Sequence, residues 1–125
     1  MITEDYVNFE IAELLKEKGF DEECIGYYVD YEPNDIKYSF CGETNSIWES
    51  RCCSAPTLQM AMKWLREVHH LHITIKIYTV PNGIVYAYEI DKLGHTASAL
   101  KLKSGFDSFK EACEAAIKYC LTNLI

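Results

Sequence analysis

Residues 68 to 75, VHHLHITI, bring together His69, His70 and His72, three of the four histidines in the chain. Imidazole is a common metal ligand and titrates near neutral pH, so the cluster could hold a metal or sense protons. If a strand begins at His70, then His70 and His72 project from one face as a two-ligand chelate. Such a site needs a third or fourth ligand, for which His95, Cys52 and Cys53 are the candidates. The spacing does not require any of these to come near. The simpler expectation is a junction, with His69 and His70 closing a helix where the dipole favours a partly protonated imidazole. His72 would then lie on the solvent face of a strand, and no cofactor is expected.

Cys52 and Cys53 stand just before a helix start marked by Pro56, and the positive end of a helix lowers the pKa of a nearby thiol. Adjacent cysteines lack the Cys-x-x-Cys spacing with which two sulfurs bite one zinc, and that spacing occurs nowhere in the chain. A structural role is therefore expected for both. A phosphate-cradling glycine loop, a Gly-x-Ser-x-Gly elbow and a His-Glu-x-x-His pair are all missing from the sequence. Carboxylate runs such as Asp21-Glu22-Glu23 read as solvated faces, because no partner group fixes their geometry. The chain is not expected to be an enzyme.

The strongest surface signal is aromatic and acidic. Residues 1–54 hold 4 Lys+Arg against 13 Asp+Glu, a balance of -9, while residues 55–125 hold 8 against 6, a balance of +2. Tyr27, Tyr28 and Tyr31 are interleaved in the acidic half with Asp30, Glu32 and Asp35. Rigid rings among charges are what protein interfaces use for contact area, so these six are the candidate interface. A formal charge of -7 gives little long-range attraction for a phosphate backbone, which disfavours nucleic acid. Lys76, Lys101 and Lys103, on expected strand positions of the second half, are the residues that could bind it.

The elements that must position these groups are legible in part. At 125 residues, 49% apolar and 25% charged, the chain is expected to form a single domain spanning 1–125. The longest apolar run falls short of a membrane span, and the acidic start MITEDYVNFE is unlike a secretion signal. Cytoplasmic location, reduced thiols and a monomer or homodimer are the corresponding expectations.

Val7, Ile11, Leu14 and Leu15 have the spacing of a buried helical stripe that stops at LKEKGF, where Gly19 can take the left-handed closing conformation. IGYYVDYEPNDIKYSF predicts two tyrosine-rich strands, and CGETNSIWESRCC predicts a loop anchored by Trp48. A second helix is predicted with Pro56 at its first position, Ser54 or Ala55 as cap, and Leu58, Ala61, Met62, Leu65 and Val68 inward. Leu71, Ile73, Ile75 and Ile77 then alternate with polar residues as a half-buried strand does. The strand turns at Val80-Pro81-Asn82-Gly83 into IVYAYEI, with a weaker third strand in TASALKLK. Ser108 and Glu111 have capping-box spacing, opening a last helix whose stripe includes Phe109, Cys113, Ile117 and Cys120. The expected fold is α+β, in the order α-β-β-α-β-β-β-α, with helices packed on antiparallel sheet.

Residues 55–124 in this order resemble the topology of a double-stranded RNA-binding domain. That family docks through lysines opening its last helix, where this chain has GFDSFKE with one lysine between two acids. The segments APTLQMAMKWLREVH, LLKEKGF and EACEAAIKYCLTNLI resemble a recurrent family of small proteins encoded by gut-dwelling anaerobic bacteria and their phages or mobile elements. The resemblance implies an accessory protein and brings no residue roles with it. Together with the acidic, tyrosine-rich half, it leads to the expectation of a protein-interaction module.

Overall fold

The structure is a computed structural model that describes residues 2–48, 50–95 and 99–125. Among these, the chain forms three α-helices and two antiparallel three-stranded sheets, an α+β fold. The order is α1 Phe9–Glu17, β1 Cys24–Val29, β2 Lys37–Glu43, β3 Cys52–Ser54 and α2 Leu58–His69. Then follow β4 Leu71–Val80, β5 Gly83–Lys92, β6 Lys101–Phe106 and α3 Phe109–Tyr119, closing in a π-helical turn, Cys120–Leu124. The chain divides into two compact units, Met1–Ala61 and Met62–Ile125, with the division falling inside α2. No helix among the described residues is long and apolar enough to cross a membrane.

In the first unit, Asn8 caps α1 by accepting the Ile11 N–H (2.9 Å), which satisfies one of the free donors at the helix start. Gly19 (φ +93°) closes the helix: its N–H reaches Lys16 C=O (3.2 Å) and the Phe20 N–H reaches Leu15 C=O (2.9 Å). This is the two-bond Schellman ending, and it folds the fully buried Phe20 back under the helix. The sheet order is β2-β1-β3. The strand β3 is an addition to the expected order. Three residues are too few to show a period, and they become a strand because β1 offers them the register Tyr27↔Ser54, Tyr28↔Cys53, Val29↔Cys52. Between Cys24↔Glu43 and Gly26↔Tyr38 the pairing slips, and residues 39–42 of β2 bulge outward.

Two local expectations for α2 are corrected. Thr57 caps the helix, its Oγ1 accepting the Met60 N–H (3.2 Å), so Pro56 precedes the helix and neither Ser54 nor Ala55 is its cap. Val68, expected to face inward, is exposed, while Trp64 on the neighbouring stripe is buried.

In the second unit, β4 and β5 pair without interruption from Leu71↔Lys92 to Val80↔Gly83, and Gly83 supplies the positive φ (+139°) that the turn at Pro81-Asn82 needs. The third strand, β6, begins at Lys101, later than the expected TASALKLK, whose residues 96–98 lie outside those described. Helix α3 packs on all three strands. Ser108 Oγ accepts the Glu111 N–H (3.1 Å), and the Glu111 carboxylate accepts from the N–H of Asp107 (3.1 Å), one residue earlier than a standard capping box. Ala112, Cys113, Ala116, Ile117, Cys120 and Leu121 of the helix and its closing turn are buried, whereas Phe109 is partly exposed. All six cysteines are free thiols.

Candidate functional site

The candidate interface begins on β1, whose alternation splits the tyrosines. Tyr28 points inward, its hydroxyl donating to Val7 C=O (2.8 Å) and its ring meeting Phe9 edge-on at 5.9 Å. It is a core residue, 7% exposed, and leaves the set of contact candidates. A phenol in this position has traded water for one good hydrogen bond, which is how a buried tyrosine satisfies its polar end. Tyr27 points the other way and stacks on Trp48, ring centroids 4.6 Å apart and planes 26° from parallel. Trp48 is in turn fixed by donating Nε1–H to Ser54 Oγ (2.9 Å), so the half-buried Tyr27 is largely committed to holding Trp48.

The other candidates lie on the turn from β1 to β2. Lys37 reaches back across it to Glu32 (2.7 Å) and Asp35 (3.2 Å). Its pKa is raised, first by the hydrogen bond to Glu32 and then by that to Asp35. One lysine thus takes up two of the acids counted toward the surface charge. Asp30 and Tyr31 remain presented to solvent, Tyr31 being 68% exposed. Their backbone is held: the Asp30 N–H reaches Arg51 C=O (2.8 Å) and the Glu32 N–H reaches Val29 C=O (3.1 Å).

Two further aromatic groups lie nearby in the chain: Tyr38, another tyrosine of the acidic half, and Phe40, which sequence reasoning missed. Phe40 is fully exposed on the β2 bulge, and Tyr38 is mostly exposed while meeting Tyr6 edge-on at 5.5 Å. Their i, i+2 spacing on an edge strand was the available signal, but it does not reveal a bulge.

Beside the turn, a groove of about 330 Å³ is lined by Phe9, Glu13, Lys16, Asp30, Arg51 and Cys52, among others. Across it Lys16 donates to Cys52 C=O (2.6 Å). Both signs of charge meet there. The Cys53 thiol is buried, and burial, followed by the nearby Glu13, pushes its pKa up to about 12, with Lys16 opposing. A buried thiol with a raised pKa agrees with the structural role expected for Cys53 and not with the alternative of a thiol activated by a helix start. The helix begins at Leu58, and desolvation of the thiolate outweighs any dipole.

His69 and His70 of the second unit stand at the junction between α2 and β4. His69 ends α2, and His70 takes a left-handed conformation (φ +57°) that closes it. The strand starts only at Leu71, so His70 and His72 do not share the alternation that would aim both imidazoles from one face. Lys92 donates to His69 C=O (3.0 Å) and the Leu93 N–H to His70 C=O (2.8 Å), covering the carbonyls freed at the helix end. His69 meets Trp64 edge-on at 4.8 Å, and its buried Nε2 has no hydrogen-bond partner among the described residues. Its pKa is lowered, mainly by burial and then by Lys92 and His70. His72 is half-buried opposite Asp91, and His95 is exposed in the loop beyond β5. Among the described residues, no group of three or more His, Cys, Asp or Glu could hold a metal ion.

The three lysines do not gather either. Lys76 pairs with Glu89 (3.1 Å), Lys101 lies over the Tyr119 ring (5.2 Å) and Lys103 over the Phe106 ring (5.9 Å). By register, Lys103 shares a face with Tyr88 and Ile75, which is opposite to the face carrying Lys76. A phosphate backbone lying on one face of this sheet would not meet all three.

The fold class is thus α+β, with two antiparallel three-stranded sheets among the described residues. No protein-family model, curated protein or solved structure matches the chain.

Proposed function

We propose that the chain is a non-enzymatic interaction module that binds a basic surface of a protein partner through Asp30 and Tyr31. The observation that carries this reading is the exposed Tyr31 ring beside Asp30 on a turn whose other acids are drawn in by Lys37. Backbone hydrogen bonds on both sides of Tyr31 support it, because a pre-ordered aromatic loses little freedom on binding. The -9 balance of residues 1–54 supports a partner of opposite charge, steered at long range. The resemblance to proteins of phages and mobile elements suggests an accessory protein acting on a host component.

The test is affinity capture from cells that encode the protein, comparing the wild type with Tyr31→Ala, Asp30→Lys and, as a control in the other unit, Lys101→Glu. A protein held by the wild type and the control, released by salt, and weakened about tenfold or more by each of the first two variants is the expected result. If no captured protein separates the wild type from Tyr31→Ala and Asp30→Lys, the reading is wrong.

A further inference from the structure

The second unit carries a different surface, which the reading above does not use. Strand β4 is an edge of the β4-β5-β6 sheet. Edge strands of monomers are usually protected by charge, proline, a bulge or shortness, since their outward N–H and C=O groups would otherwise pair with another chain. The outer half of β4, Ile77-Tyr78-Thr79-Val80, has none of these before Pro81. All four residues are exposed, and the pairing with β5 behind them is unbroken, so the edge is long and regular.

Apolar side chains stand open around that edge. Ile77 and Ile84 are 58% and 57% exposed on the face whose other end α3 covers. On the reverse face, Tyr78, Val80 and Leu102 line a groove of about 420 Å³. On β4 itself Ile77, Tyr78 and Val80 are 58%, 47% and 37% exposed, so pairing at this edge covers apolar side chains together with free backbone.

We infer that a second copy of this chain covers this edge, β4 pairing antiparallel with its counterpart about a two-fold axis at Ile77. The argument for this occupant is self-complementarity. With Ile77 opposite Ile77, Lys76 falls opposite Tyr78, Ile75 opposite Thr79, and Thr74 opposite Val80. Lys76 is the one charged residue in that stretch, so no like charges oppose each other across the axis. Its ammonium, already held by Glu89, comes beside the partner copy's aromatic ring. An antiparallel edge-to-edge pair is isologous and closes after two copies, giving one continuous six-stranded sheet. The chain's formal charge of -7 opposes association at long range, and salt screens that repulsion, so this apolar dimer tightens as salt rises.

Sedimentation velocity of the full chain across the micromolar range tests the inference. The expected result is a reversible dimer strengthened by salt, weakened on the order of a hundredfold by Ile77→Lys. Val68→Lys, at an exposed apolar position on α2, should leave it intact. Register is read separately under oxidising conditions: Ile77→Cys should give a disulfide-linked dimer well above the wild-type background, and Ile84→Cys should not. A wild type that stays monomeric throughout overturns the inference. So does a dimer indifferent to Ile77→Lys, or equal cross-linking at positions 77 and 84. Because Asp30 and Tyr31 are untouched in these variants, failure here leaves the proposed partner surface standing.

Discussion

In the β4-β5-β6 sheet, β4 and β5 pair residue for residue from Leu71↔Lys92 to Val80↔Gly83, whereas β1 and β2 slip between Cys24 and Gly26. The longer hairpin needs little beyond its own alternation: Leu71, Ile73, Tyr88 and Ile90 share the buried face, and a one-residue slip would turn them all to water. The smaller sheet has only a three-residue strand on one side of β1 and a bulged strand on the other. Side-chain hydrogen bonds hold it. The buried Asn45 donates to Phe20 C=O (2.7 Å) and accepts the Ser54 N–H (2.8 Å), linking the end of α1 to β3. Where apolar alternation is short, a satisfied buried polar group specifies the register in its place.

That difference can be tested by substitution. Ile90→Ala should have the largest effect, about 2–5 kcal/mol in urea unfolding, since it empties a fully buried site on the central strand of its sheet. Amide exchange should then rise first within Met62–Ile125. Asn45→Ala should come close behind, at about 2–4 kcal/mol, because it removes a hydrogen bond from the Phe20 C=O and the acceptor of the buried Ser54 N–H. Its exchange signature should appear first within Met1–Ala61. Equal exchange throughout the chain for both variants would show that the two sheets unfold as one, and the contrast between them would not extend to stability.

The smallest expected effect concerns pH. Burial lowers the pKa of His69 below its ordinary 6.5, so the unfolded chain binds this proton more tightly than the folded one. The contribution of neutral His69 is therefore fully present above about pH 6.5 and declines as pH falls toward the lower folded value. His69→Phe keeps an aromatic edge for Trp64 and removes the titration. Its melting temperature should drop less between about pH 7.5 and 5.5 than that of the wild type, and parallel curves would rule out this origin.

Several features were legible without the structure because they depend on neighbours a few residues apart. The Schellman ending at Gly19 and Phe20, the Ser108 cap, the alternation of β4 and the Pro81-Asn82-Gly83 turn are all of this kind. Each is decided by dihedral preference, a cap within reach or side-chain period, and each was readable at its own position. The α+β class followed from their order.

Tertiary structure alone decided the rest. Cys52–Ser54 is a strand because β1 lies beside it, and Tyr28 is core while Tyr31 is surface because Val7 and Phe9 meet one and not the other. His70 takes the left-handed turn that separates the end of α2 from β4, and the sheet register sends Lys76 and Lys103 to opposite faces. Asn45 joins residues 25 positions before it and 9 after it. Local preference reaches about one helical turn along the chain, whereas burial and partnership depend on which distant segments come to lie alongside.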